Sequence, residues 1–281
     1  MKRKVLALIV VVALAAVAAC ALSFFGASGK PFTKGVYGAP PRTQNGSLDM
    51  DRLFLKVSAS GADTYNFLLT DTPRDLSELE RLLPEAQRRG IKIWATILPP
   101  SELSPEMRMD MRYVDYVGTA KKIAGLSVRY ENLEAWSIDN VAVDSGFFTA
   151  SYLSAITSGA KEANPELLFI PVVYYANVAS SGFSERASFF DGVQFYYTHF
   201  PAGESDESAV LLPMLQELRE SFDGKVVLGI YASPWSKDYP TSPSYVEQLL
   251  KLAKQHTDGA MIYTMDQEGE KLAVVKGQFG G

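Results

Sequence analysis

Acidic, aromatic and hydroxyl side chains recur through this sequence directly behind short apolar runs. They form the groups Thr70-Asp71, Pro99-Pro100 with Glu102, Ile138-Asp139-Asn140 with Asp144, Tyr174-Tyr175, Tyr196-Tyr197-Thr198-His199, Tyr231 to Trp235, and Met265-Asp266-Gln267. Gathered at one end of a fold, the carboxylates would supply acid, base or nucleophile for a reaction through an oxocarbenium-like transition state. The flat rings would stack on the apolar C–H faces of sugars. Other chemistries are poorly served. His199 and His256 with the single Cys20 are too few for a zinc or iron–sulfur centre, so no metal and no cofactor is expected. One cysteine forms no disulfide within its own chain, and a net charge of −5 argues against nucleic acid as a partner. No Gly-x-Ser-x-Gly elbow is present for a serine hydrolase.

These groups need elements to hold them. Eight β-rich runs bounded by Gly, Pro, Asp or Asn read as strands: Gly35–Ala39, Thr64–Asp71, Lys92–Pro100, Leu133–Val141, Leu167–Ala176, Gly192–Phe200, Lys225–Trp235 and Gly259–Gln267. Helical spacing fills the stretches between them, at Asp75–Arg89, Pro105–Leu126, Phe147–Ala163, Ser208–Phe222 and Ser242–His256, and least clearly at Asn177–Asp191. Eight such units in 281 residues predict an α/β fold, a single (β/α)₈ TIM barrel over residues 35–281, with its active site at the C-terminal strand ends. A doubly wound sheet is the alternative. It is disfavoured because no Gly-x-Gly-x-x-Gly follows a strand and no phosphate-binding loop is present.

Strand parity selects among the acids. In the fourth strand Ala135, Ser137 and Asp139 alternate with Trp136 and Ile138. Small residues suit the crowded lumen and large ones the layer under the helices, so Asp139 is expected to point up out of the barrel, with neighbouring acids and burial raising its pKa. By the same rule Asp266, on a face with Ala260, Ile262 and Thr264 and opposite Met261, Tyr263 and Met265, is expected to face the lumen. Asp139, Asp266 and Asp71 are therefore the catalytic candidates, although Thr-Asp-Thr-Pro around Asp71 also reads as a turn into the next helix. Trp235 is the stacking candidate. Tyr175, Tyr197, His199, Asn140, Glu102 and Arg42 are the further substrate-binding candidates, and Trp94 and Trp136 are assigned to the core.

The chain opens with Lys2-Arg3-Lys4, an unbroken apolar run from Val5 to Val17, and Ala18-Ala19-Cys20, the order of an export signal. Val17-Ala18-Ala19-Cys20 resembles a bacterial lipobox, which implies lipidation at Cys20, a signal peptide over 1–20 and a tether over 21–34. An uncleaved anchor helix and cleavage after Ala16-Val17-Ala18 are the alternatives. All three put the barrel outside the cytoplasm, membrane-anchored or secreted, as a monomer with a glycan partner.

The motifs Gly35-Val36-Tyr37-Gly38, Thr64-Tyr65-Asn66-Phe67, Gly90-Ile91-Lys92-Ile93-Trp94, Ala135-Trp136-Ser137-Ile138-Asp139-Asn140 and Ile230-Tyr231-Ala232-Ser233-Pro234 resemble the glycoside hydrolase superfamily of barrels, in its bacterial extracellular and lipoprotein branch. The resemblance implies a (β/α)₈ fold, cleavage of glycosidic bonds in a polysaccharide or oligosaccharide, and Asp139 as the acid that matches the first Asp of an Ile-Asp-Asp strand end. Here Asn140 stands at the second position, no Asn-Glu pair ends the fourth strand, and the seventh offers no Glu. Those departures keep a second expectation open, a catalytically inactive carbohydrate-binding or cell-envelope barrel.

Overall fold

The computed structural model describes residues 31–180, 182–200, 205–233, 241–263 and 269–280. Cys20, Trp235 and Asp266 lie outside the described residues.

Nine short strands form one parallel sheet: β1 (Thr33–Gly38), β2 (Thr64–Leu69), β3 (Lys92–Ile97), β4 (Leu133–Ile138), β5 (Leu168–Phe169), β6 (Val172–Tyr174), β7 (Gly192–Tyr196), β8 (Lys225–Tyr231) and β9 (Gly259–Tyr263). Their order is β5-β4-β3-β2-β1-β9-β8-β7-β6. The two ends of that order are consecutive pieces of one stave, parted only at Ile170-Pro171. Ile170 N–H donates to Trp136 O at 2.9 Å on one side, and Pro171 O accepts from Gln194 N–H at 2.8 Å on the other. Proline has no N–H for the ladder, which accounts for the break. Eight staves therefore close on themselves as a (β/α)₈ barrel, and each overlaps one of the eight runs read from the sequence.

The helices follow the sequence with local departures. Helix α1 (Met50–Ser60) joins the first two staves, and α2 (Thr72–Arg88) starts three residues before the expected Asp75 because Pro73 sets its first turn. The single helix expected over 105–126 is broken into α3 (Pro105–Arg108), α4 (Met111–Val114) and α5 (Tyr116–Arg129). Asp110 and Asp115 each turn a carboxylate onto following N–H groups, so each caps a new helix instead of continuing the old one. Next come α6 (Ala150–Ala163), the two short helices α7 (Tyr175–Val178) and α8 (Phe183–Ala187), then α9 (Ser208–Ser221), α10 (Pro243–His256) and α11 (Glu270–Gly280).

Side-chain parity divides the core in two. Trp136, Ile138, Phe195, Leu228 and Ile262 pack outward with the helices, Trp136 stacking on Phe169 with centroids 4.2 Å apart. The lumen holds Trp94, Ala135, Ile170, Val227 and Met261. It also holds a polar layer: Thr96 Oγ1 donates to Asn66 Oδ1 (2.7 Å), Asn66 Nδ2 donates to Gln194 Oε1 (2.9 Å), and Gln194 Nε2 donates to Ser137 Oγ (3.1 Å) and Ile170 O (3.0 Å). These four side chains are buried and joined across the lumen, so truncating one strands the others at about 1–3 kcal/mol. Two residues further along their staves, Ser137 gives way to Asp139 and Gln194 to Tyr196. The polar layer thus supports the site from below.

Candidate functional site

Asp139 stands where β4 ends. Its N–H still donates to Ile97 O at 2.9 Å, which keeps it in the sheet, while Asn140 turns the chain away in the left-handed region at φ +43°. The Tyr37 hydroxyl donates to Asp139 Oδ2 at 2.7 Å. Burial raises the pKa of Asp139, against the opposing pull of the Tyr37 hydroxyl and the Asn140 backbone N–H.

Glu102 closes a single 3₁₀ turn (Pro100–Glu102) beyond β3, at the solvent-exposed mouth. Crowding by protein, and then the charges of Asp139 and Asp144, push its carboxyl up to about 7. Asp144 also accepts the Ser101 N–H at 2.9 Å, so the loop after β4 fixes the loop that carries Glu102. The Asp139 charge reaches Glu102 and helps to hold the proton there, while the Tyr37 hydroxyl and the Asn140 backbone favour the ionised form of Asp139.

Both acids line a cavity of about 660 Å³ at the C-terminal strand ends, in the range of small-ligand sites. Five tyrosines supply much of its wall: Tyr37, Tyr174, Tyr196, Tyr231 and Tyr263. Tyr37 and Tyr263 centroids lie 5.1 Å apart, Tyr231 and Tyr263 5.3 Å, and Tyr196 and Tyr231 5.4 Å, all inclined. The Tyr174 and Tyr231 hydroxyls share a hydrogen bond at 3.1 Å. Gly229 makes the arrangement possible, because a Cβ there would meet the Tyr196 ring at 2.4 Å.

Of the residues singled out from the sequence, Asp139, Asn140 and Glu102 come together in this cavity. The other described candidates are not among its lining. Asp71 precedes α2, receives the Tyr113 hydroxyl at 3.1 Å and faces Arg74 at 3.8 Å. Arg42 is paired with Asp75 at 2.6 Å and with Glu78, where it ties the loop after β1 to α2. Tyr175 donates to Glu217 of α9 at 2.7 Å. Tyr197 donates to buried Glu207 at 2.6 Å, and His199 Nδ1 lies 3.1 Å from the same carboxylate.

In both tyrosine doublets the inward member is the first, Tyr174 and Tyr196. Gln194 carried the signal: a buried amide at mid-strand belongs to the lumen, and Tyr196 shares its parity. The face assigned to Asp266 rested on small residues pointing inward along the last strand, and β9 reverses that rule. Met261 packs in the lumen and Tyr263 lines the cavity, whereas Ala260 and Ile262 face the helices. The room for Met261 comes from a neighbouring stave, where a Cβ on Gly35 would meet its sulfur at 2.5 Å.

No family model matches the sequence, and no curated protein matches it. Solved structures do. A GH2 β-galacturonidase from Eisenbergiella tayi, bound to galacturonate, superposes with a TM-score of 0.65 at 14% identity, over 89% of this chain and 51% of its own. A GH113 β-1,4-mannanase superposes with a TM-score of 0.65 at 10% identity, over 89% and 99%. A family 39 glycoside hydrolase from Bacteroides cellulosilyticus WH2 gives 0.52 at 14% identity, over 86% and 58%. The chain thus spans about half the length of the GH2 enzyme. At these identities the likeness is one of fold, and the fold is the (β/α)₈ barrel that glycoside hydrolases use.

Proposed function

We propose that this barrel cleaves glycosidic bonds in a polysaccharide or oligosaccharide, with Glu102 as proton donor and Asp139 as its ionised partner. The observation that carries the proposal is two unlike carboxylates lining one tyrosine-walled cavity at the strand ends: buried, hydrogen-bonded Asp139, and Glu102, which keeps its proton to about pH 7. In the reaction Glu102 gives its proton to the glycosidic oxygen as the C1–O bond breaks. Asp139 stabilises the positive charge that develops at C1, water delivers its oxygen to C1, and the water's proton returns to the carboxylate pair. The tyrosines offer rings for stacking and hydroxyls for hydrogen bonding. The proposal also puts the enzyme outside the cytoplasm, tethered through Cys20, on the strength of the basic, apolar and lipobox-like order of residues 2–20.

A second reading, a barrel that binds glycan without turning it over, is favoured by Asn140 beside Asp139 and by Tyr231, rather than a glutamate, at the end of β8. A polysaccharide panel scored for both binding and new reducing ends separates the two. Asp139→Asn is expected to lower turnover by about 100-fold or more while leaving glycan binding in place. Turnover that survives this change overturns the role given to Asp139, and binding without turnover in the unaltered protein favours the second reading.

A further inference from the structure

The polar groups that line the cavity share one property: every one of them can accept a hydrogen bond. The charge-bearing side chains among the described lining residues are the carboxyls of Asp139 and Glu102, of which Asp139 carries the negative charge, and the remaining polar side chains are tyrosine and threonine hydroxyls and the amide of Asn140. Two of these groups have no hydrogen-bond partner among the described residues. Asn140 Oδ1 is buried and bare, and so is the hydroxyl of Tyr196, a residue only 1% exposed. A buried polar atom left without a partner is destabilising by about 1–3 kcal/mol, and both of these atoms belong to residues that line the cavity, where a small movement of the side chain would offer them to a ligand.

We infer that the glycan taken by this site carries a free amine at the Asp139–Asn140 subsite, an unacetylated hexosamine unit rather than a neutral or uronic sugar. An ammonium supplies three donors, no acceptor and one positive charge, the counterpart of a lining made of carboxylates, an orphan amide oxygen and hydroxyls. The tilted tyrosine faces add attraction for a cation. A uronate would bring a second negative charge against Asp139 with no described lysine or arginine in the wall to receive it. The likeness to a galacturonidase does not oppose this, because a fold shared at 14% identity leaves the charge of the pocket free to differ.

The inference rests on the glycan-site reading, so its test must separate the two. The full chain in detergent is titrated at about pH 6, where the sugar amines are protonated, with four β-1,4-linked or α-1,4-linked tetramers: glucosamine, N-acetylglucosamine, glucose and galacturonic acid. Preference is read as a ratio of Kd values, or of kcat/KM values where the oligomer is cleaved. The glucosamine tetramer is expected to be favoured by about 10-fold or more over glucose, with the advantage shrinking towards parity in about 1 M salt. Asn140→Gly, which fits the left-handed backbone without strain, is expected to lower that ratio, and Asn140→Asp to raise it. Equal or tighter use of the glucose, N-acetylated or galacturonic tetramer overturns the inference, as does a preference that salt leaves unchanged. Binding of the amine without cleavage supports it while counting against the hydrolase reading. No interaction with any tetramer overturns both.

Discussion

Replacing Tyr37 by Phe removes one oxygen from the site and little else. The ring is 2% exposed and lies against Tyr263 and Tyr196 with centroids at 5.1 and 6.2 Å, contacts that phenylalanine keeps. What is lost is a 2.7 Å hydrogen bond onto Asp139 Oδ2. A bond of this kind to a buried carboxylate is worth about 1.5–3 kcal/mol. It acts only on the ionised form, so its loss raises the pKa of Asp139, already above the usual carboxylate value through burial, by about 1–2 units at 1.36 kcal/mol per unit. The sign for stability follows. The cost of Tyr37→Phe is largest near neutral pH, where Asp139 is ionised, and shrinks as the carboxyl takes up its proton in acid. For activity, ionisation of Asp139 sets the acid limb of the pH–rate profile, and Glu102, at about 7, sets the alkaline limb. The acid limb is expected to climb by about 1–2 units towards the other, narrowing the bell and lowering its maximum by about 3-fold where the two limbs meet. The assay is kcat/KM across the pH range for both proteins on one cleaved glycan, with circular dichroism to verify folding. A folded variant whose acid limb stays in place refutes the reasoning, because Asp139 would then not be the group that must lose a proton.

Glu102→Gln is expected to abolish the alkaline limb near pH 7 and to lower kcat by about 100-fold. Its folded pKa is raised, so the native state holds a proton that the unfolded chain releases, and stability falls as pH rises from about 4.5 through 7. The glutamine variant escapes that loss. It should gain about 1 kcal/mol in urea unfolding at about pH 8 and nothing at about pH 4, after the discount its solvent access demands. Gly229→Ala sets a methyl 2.4 Å from the Tyr196 ring, so the ring must shift to admit it. A loss of about 1–3 kcal/mol is expected, together with weaker glycan binding as Tyr196 is displaced, both readable by thermal melts and titration.

The eight staves were legible because each is a compact β-rich run between turn residues, and the fourth disclosed its facing because Trp136 and Ile138 alternate with Ala135 and Ser137. Elsewhere the same rule misled, for a physical reason. The width of the lumen is shared between neighbouring staves, so a glycine on one admits a large residue on the next. Gly35 admits Met261 and Gly229 admits Tyr196, which makes size along a single strand a poor guide to its inward face. Polar residues at mid-strand are the better guide, since Asn66, Thr96, Ser137 and Gln194 bond to one another inside the lumen. Loop carboxylates were the least legible, because their duties are set by residues distant in sequence. Asp75, four residues after Asp71, accepts the N–H groups of Thr70 and Asp71 and pairs with Arg42 and Arg74, so it fixes the strand end where Asp71 stands without lining the cavity. Glu102, by contrast, owes its raised pKa first to crowding by the protein and then to the charges of Asp139 and Asp144, the second of which also holds its loop through Ser101. The cavity's chemistry therefore depends on two kinds of close approach that no single segment encodes: glycine against ring inside the barrel, and carboxylate against carboxylate at its mouth.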